Sequence, residues 1–131
     1  MSDRQQIEQL VRELHTARVE GDLDRLCALY AQESRLRIAG STDGKPIAIA
    51  AIGIAEIRPW LSILVKTFRL SHYTILSLSV DVPRAAAHWR VDIHSKITGV
   101  VVPTEHEDLI DVRGGRFSSH IEFFVPIYLR L

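Results

Sequence analysis

The chain has 131 residues, the size of one ordinary domain, and 47% of them are apolar, enough for a single buried core. Sixteen basic and sixteen acidic residues cancel, with no run of Lys and Arg, which argues against the basic footprint of a nucleic-acid-binding surface. The lone cysteine, Cys27, leaves no internal disulfide to form; no apolar run approaches the ~20 residues that span a bilayer; and the polar start has no apolar signal core. A cytoplasmic, non-membrane protein is therefore the default expectation.

In chain order, residues 3–20 predict an amphipathic helix. Ile7, Leu10, Val11, Leu14 and Arg18 step at three and four, Ser2 or Asp3 supplies an N-cap, and Gly21 ends the helix. Asp22 can cap a second, shorter helix with Leu23, Leu26, Cys27 and Tyr30 on its buried side. A short strand over 35–39 and a turn over 40–44 follow. The segment 46–53 reads equally as strand or packed loop. From Ile54 the spacing of Ile57, Trp60, Leu61, Leu64 and Phe68 is helical again. The second half alternates as sheet: strands over 73–82, over 87–94, over 101–112 and over 117–125, the last two joined by a turn at Gly114-Gly115. The tail, 123–131, is apolar and is expected to dock on a partner subunit or close a cavity. Helices first and an antiparallel meander after them predict one α+β domain over residues 1–131.

Four landmarks, taken together, give the chain a family resemblance: Gly21-Asp22-Leu23-Asp24 followed by Leu29-Tyr30-Ala31; Gly53 before a helix with Ile57, Arg58 and Trp60; the hairpin Gly114-Gly115-Arg116-Phe117; and Glu122-Phe123-Phe124. In order and spacing they resemble the nuclear-transport-factor-two-like superfamily, in particular its SnoaL-like polyketide-cyclase and ketosteroid-isomerase branches. The resemblance implies a cone-shaped fold of the cystatin-like roll type, in which a curved mixed or antiparallel sheet wraps about three helices from the first half of the chain. It also implies a homodimer through the convex sheet face. It implies little about activity, because this scaffold serves many chemistries. Of the isomerase's three catalytic groups, the base position holds Ile38 and the tyrosine position Leu14, neither able to act; only the protonated-aspartate position keeps a carboxyl, Asp108. A true ketosteroid isomerase is therefore not expected.

Strand alternation then selects a pocket. If Asp108 faces inward, so do His106 and Ile110, with Trp89 and Val91 on the strand before. On the last strand the family register turns His120, Glu122 and Phe124 inward, against hydrophobicity, which favours the opposite set Phe117, Ile121, Phe123 and Val125. The expected site is Asp108, His106, His120 and Glu122, with Asp108 as first choice for acid–base work. Leu14, Tyr30, Leu36, Ile38, Trp60, Leu64, Trp89, Val91, Ile110 and Phe124 form ligand-binding walls. The expected function is cofactor-independent isomerisation, cyclisation or dehydration of a small apolar carbonyl or hydroxyl compound. The competing readings are a non-catalytic hydrophobic-ligand-binding or accessory module, and carboxylates and imidazoles that merely satisfy one another in the core. No metal, nucleotide or flavin site is expected, and neither is a nucleic-acid partner. His15, about 100° around the helix from Leu14, is expected at the surface or rim. His88, Arg90, Asp92 and His94 are expected as a polar outer stripe.

Overall fold

The computed structural model describes residues 1–42 and 45–127. Helix α1, Asp3–Glu20, starts in a capping box: Ser2 Oγ accepts from the Gln5 backbone N–H at 3.2 Å, and Gln5 Oε1 accepts from the Ser2 N–H at 3.0 Å. It stops at Gly21, whose φ of 69° lies in the left-handed region. Asp22 caps the short α2, Leu23–Cys27, by accepting from the Arg25 N–H.

Strand β1, Tyr30–Thr42, is longer than the expected strand over 35–39, and it takes in Tyr30, which the spacing with Leu23, Leu26 and Cys27 predicts on the second helix. The ambiguous segment is β2, Lys45–Ile52, antiparallel to β1. The expected turn at 40–44 falls partly outside the described residues, as does the end of the apolar tail. Helix α3, Ile54–Thr67, passes directly into β3, Phe68–Asp81, and β4, Arg84–Ser95, β5, Val101–Arg113, and β6, Arg116–Pro126, complete the chain order.

The six strands form one sheet in the order β2-β1-β6-β5-β4-β3. All neighbours are antiparallel except β1 and β6, which run parallel and place the last strand in the middle. The sheet is curved and open, as expected for the ketosteroid-isomerase-like architecture. Helix α1 packs across β3 and β4, and α3 packs across β1, β2 and β3.

Alternation places Ala87, Trp89, Val91 and Ile93 of β4 and Thr104, His106, Asp108 and Ile110 of β5 inside. In β6 the conflict between register and hydrophobicity is resolved by a bulge. Val112 pairs with Phe117 but Asp111 pairs with Ser119, so Ser118 is an extra residue. Phe117 therefore points inward, as do His120, Glu122 and Phe124, while Ile121, Phe123 and Val125 face out.

Candidate functional site

The concave face carries two polar clusters, and α1 brings the second half of each. The first centres on Asp108, which is fully buried. Its Oδ1 accepts from His120 Nε2 at 2.8 Å; its Oδ2 accepts from His15 Nε2 at 2.7 Å and from Trp89 Nε1 at 2.8 Å. Each histidine is backed by a phenol: Tyr30 Oη lies 2.7 Å from His120 Nδ1, and Tyr73 Oη lies 2.5 Å from His15 Nδ1. Burial works against ionisation of Asp108, but hydrogen bonds from His120 and His15 outweigh it and hold the carboxyl well below its usual range. Burial pushes the Tyr30 phenol well above its usual value and the Tyr73 phenol up to about 12, so both hydroxyls keep their hydrogens to donate. The result is a branched chain, tyrosine to histidine to aspartate from two sides, in which every listener has a donor.

The second cluster centres on Glu122. Arg18 Nη1 donates to Oε1 at 2.7 Å, and Nη2 reaches Oε2 at 3.5 Å. His106 Nδ1 stands 3.3 Å from Oε2, and its Nε2 lies 2.7 Å from Thr104 Oγ1. Burial would raise the Glu122 pKa, but the Arg18 charge and the His106 hydrogen bond bring it down to about 2. The His106 ring is held between Trp89, 4.1 Å away at 22°, and Phe124, 5.1 Å away at 14°.

Among the described residues, it is the second cluster that lines a cavity. A cavity of about 30 Å³ is bounded by Arg18, His106 and Glu122 at one end and by Ile38, Ile47, Leu64, Val65, Phe68, Leu70, Ile93 and Phe124 elsewhere. Of the expected site residues, His106, Glu122, Ile38, Leu64 and Phe124 meet there. Asp108 and His120 face inward as expected but do not line the cavity. Leu14, Tyr30, Leu36, Trp89, Val91 and Ile110 are buried in the core beside it rather than forming its walls. Trp60 is a correction: at 39% exposure it sits on the outward side of α3, which buries Ile57 and Leu61 instead.

His15 is a second correction. It is 1% exposed, because a sheet that wraps a helix covers a wider arc than one stripe, and the arc from Leu14 includes it. Arg18 is the main residue that pattern reading passed over. Its signal was present: a charge in register with Val11 and Leu14 on the buried face. Thr104 was legible in the same way, two residues before His106 on the same side of β5. His88, Arg90, Asp92 and His94 do form the outer polar stripe.

Oxygen or nitrogen atoms of Asp108, His120 and Glu122 lie within 4.8 Å of one another, close enough to share a cation. Each is already committed, however: His120 to Asp108 and Tyr30, Asp108 to three donors, Glu122 to Arg18 and His106. A metal would have to break that network. Among the described residues, Ser34 Oγ is the one buried side-chain polar atom left without a partner.

Residues 11–120 match the family model described as SnoaL-like domain. No curated protein matches the sequence. Among solved structures, the chain is similar to a candidate isomerase from Bacillus subtilis, with a TM-score of 0.80, 19% identity and coverage of 95% of this chain and 89% of that one. A protein with a ketosteroid isomerase-like fold from Catenulispora acidiphila, in complex with trimethylamine, gives a TM-score of 0.71 at 16% identity, covering 93% and 85%. An LEH-like epoxide hydrolase from M. tuberculosis gives 0.73 at 12% identity, covering 94% and 85%. No helix among the described residues is long and apolar enough to cross a membrane.

Proposed function

Starting from its membership of the SnoaL-like domain family, to which the match over most of its length assigns it, we propose that this chain binds a small, largely apolar molecule in the Arg18–Glu122–His106 cavity and moves a proton on its carbonyl or hydroxyl group. Isomerisation, cyclisation and dehydration are the reaction types that fit. The observation that carries this reading is the convergence of three polar side chains on one end of an otherwise apolar cavity. Asp108 belongs to the scaffold of the site rather than to its chemistry, because three donors already occupy its oxygens.

Arg18 is the anchor for the ligand oxygen. Among the described residues its guanidinium hydrogen-bonds only to Glu122, once at 2.7 Å and once weakly at 3.5 Å, so donors remain for a ligand. Glu122 stays ionised and His106 adjoins it, so a proton can be exchanged with the bound group. The cavity is about a tenth of the ~300 Å³ at the lower end of ligand pockets. A ligand must therefore push outward the half-buried wall of Ile47, Leu64, Val65 and Phe68.

The test is a panel of small ketones and alcohols followed by mass spectrometry, with Glu122→Gln expected to lower turnover at least ~100-fold. Leu64→Trp, which fills the cavity, is expected to abolish ligand-induced thermal stabilisation. Full turnover in Glu122→Gln removes the assignment. A second reading, a non-catalytic binding module, is favoured by the completeness of the hydrogen bonding around Asp108. Stabilisation by a ligand that is never converted would decide for it.

A further inference from the structure

The three buried histidines, His15, His106 and His120, differ in what faces their second nitrogen. His15 and His120 each give Nε2–H to Asp108 and meet a tyrosine hydroxyl at Nδ1. A hydroxyl can donate, so one ring hydrogen is enough to satisfy each of these rings.

His106 has no such partner. Thr104 has one hydroxyl hydrogen, and a carbonyl oxygen can only accept, so satisfying the 3.0 Å contact to Val91 O assigns that hydrogen there. Thr104 Oγ1 can then only accept, so His106 Nε2, 2.7 Å away, must carry a hydrogen. On the other side Nδ1 faces Glu122 Oε2, part of a carboxylate paired with the Arg18 guanidinium. An ionised carboxylate has nothing to donate, so this contact, long at 3.3 Å, is a hydrogen bond only with a hydrogen on Nδ1 as well.

We infer that His106 stands in this fold as an imidazolium cation and is the acid of the cavity, with Thr104 as the positioning residue that holds its Nε2–H. Two further features agree. The ring lies between the faces of Trp89 and Phe124, the surroundings a planar cation favours. The charges of the network also balance, the partly buried Arg18 and the buried His106 against the buried Glu122 and Asp108, whereas a neutral His106 would leave it net negative. His106 touches Trp89 of β4, Thr104 of β5, and Glu122 and Phe124 of β6; Arg18 of α1 shares its cavity, and the cavity residues from α3, β1, β2 and β3 are apolar.

Making His106 the acid rests on the cavity reading above; its charge state does not. The 3.3 Å contact to Glu122 is a weak one, open to exchange for a ligand oxygen. In that exchange the Nδ1–H bond breaks and an O–H bond forms on the ligand. His106 is left as the neutral Nε2–H tautomer that Thr104 already holds, and a proton from product or solvent restores it.

Nitrogen-15 NMR of the histidine rings near neutral pH tests the inference, with His106→Gln used to assign the signals. Both His106 nitrogens are expected in the protonated range, while His15 and His120 each show one bare nitrogen. Thr104→Ser is expected to preserve the His106 pattern, and Thr104→Val to lose the proton from one nitrogen. A bare nitrogen on His106 in the unaltered protein overturns the inference, whether or not Thr104→Val folds. If the NMR pattern is as expected but Leu64→Trp leaves ligand binding intact, the cavity reading fails and the charge state stands.

Discussion

Asp108 shows how a carboxylate can be central to a fold without being free to react. Its two oxygens take three hydrogen bonds, and each histidine donor is itself backed by a tyrosine. An amide offers one acceptor oxygen where three donors converge, so Asp108→Asn is expected to cost roughly 3–5 kcal/mol, as when one partner of a buried charged network is removed. Urea denaturation measures this; stability equal to the unaltered protein would contradict it. Arg18→Met should cost a similar amount by leaving Glu122 buried and unpaired, and adding Glu122→Leu should recover part of the loss. At this scale strand parity made it readable that His106 shares the side of Asp108, whereas the inward turn of His120 and Glu122 was readable from the family register and not from alternation. The burial of His15 was not readable, because the arc of α1 that is covered depends on how far the sheet wraps, which no helical period contains; for Arg18 the buried face was legible but not its partner Glu122, 104 residues away.

At the scale of elements, the placement of the site depends on how closely β1 and β6 approach. Gly40 of β1 pairs with Phe124 of β6, and a Cβ built on Gly40 would lie 2.4 Å from the Phe124 carbonyl oxygen and 2.5 Å from its ring. Backbone cannot move aside as a flexible side chain can, so Gly40→Ala is expected to destabilise by about 1–3 kcal/mol through overpacking. Because Phe124 is a cavity wall and stacks on His106, the same variant should also change ligand affinity. Calorimetry together with a binding titration checks both, and an unchanged melting temperature would count against the close approach. The order of elements was legible from periodicity and turn chemistry, and so were the end of α1 at Gly21 and the Asp22 cap. The length of β1 and the identity of β2 were not. The apolar and small run of 46–51 becomes a strand because β1 is there to pair with it, and of 30–34, polar and small after its tyrosine, Tyr30 alone has a partner on β6. The bulge at Ser118 explains why Phe117 and His120 share a face that simple alternation would divide between them.

For the whole molecule, two depressed carboxylates set the acid limb of stability. The folded Glu122 pKa of about 2 lies below its ordinary 4.5, and that of Asp108 lies below 3.8. In the window between, the unfolded chain binds more protons, so stability falls as pH falls. The Glu122 contribution, on the order of 3 kcal/mol, is present above pH 4.5 and lost as pH drops toward about 2. Denaturation curves should therefore show a steep loss in that range, and Glu122→Gln should flatten it. The convex face is apolar at Leu109, Phe123 and Val125, with Arg35 and Arg37 on the β1 side and Glu105 and Glu107 on the β5 side. A second copy related by a two-fold axis would set opposite charges together around that apolar centre, and we propose a homodimer there. Light scattering is expected to give twice the chain mass, and Phe123→Glu to halve it; a monomer at micromolar concentration would rule it out.

The position of β6 has a further consequence, for the way the chain reaches this state. The last strand in order lies between the first and the fifth, and its parallel pairing with β1 joins Tyr30 to Phe117. Until it inserts, the sheet is two separate pieces, Arg18 and Asp108 lack their β6 partners, and both new edges are open to wrong pairings. Folding must then close its longest loop before its buried ions are neutralised. The same strand that completes the pocket should be the slow, all-or-none step of assembly.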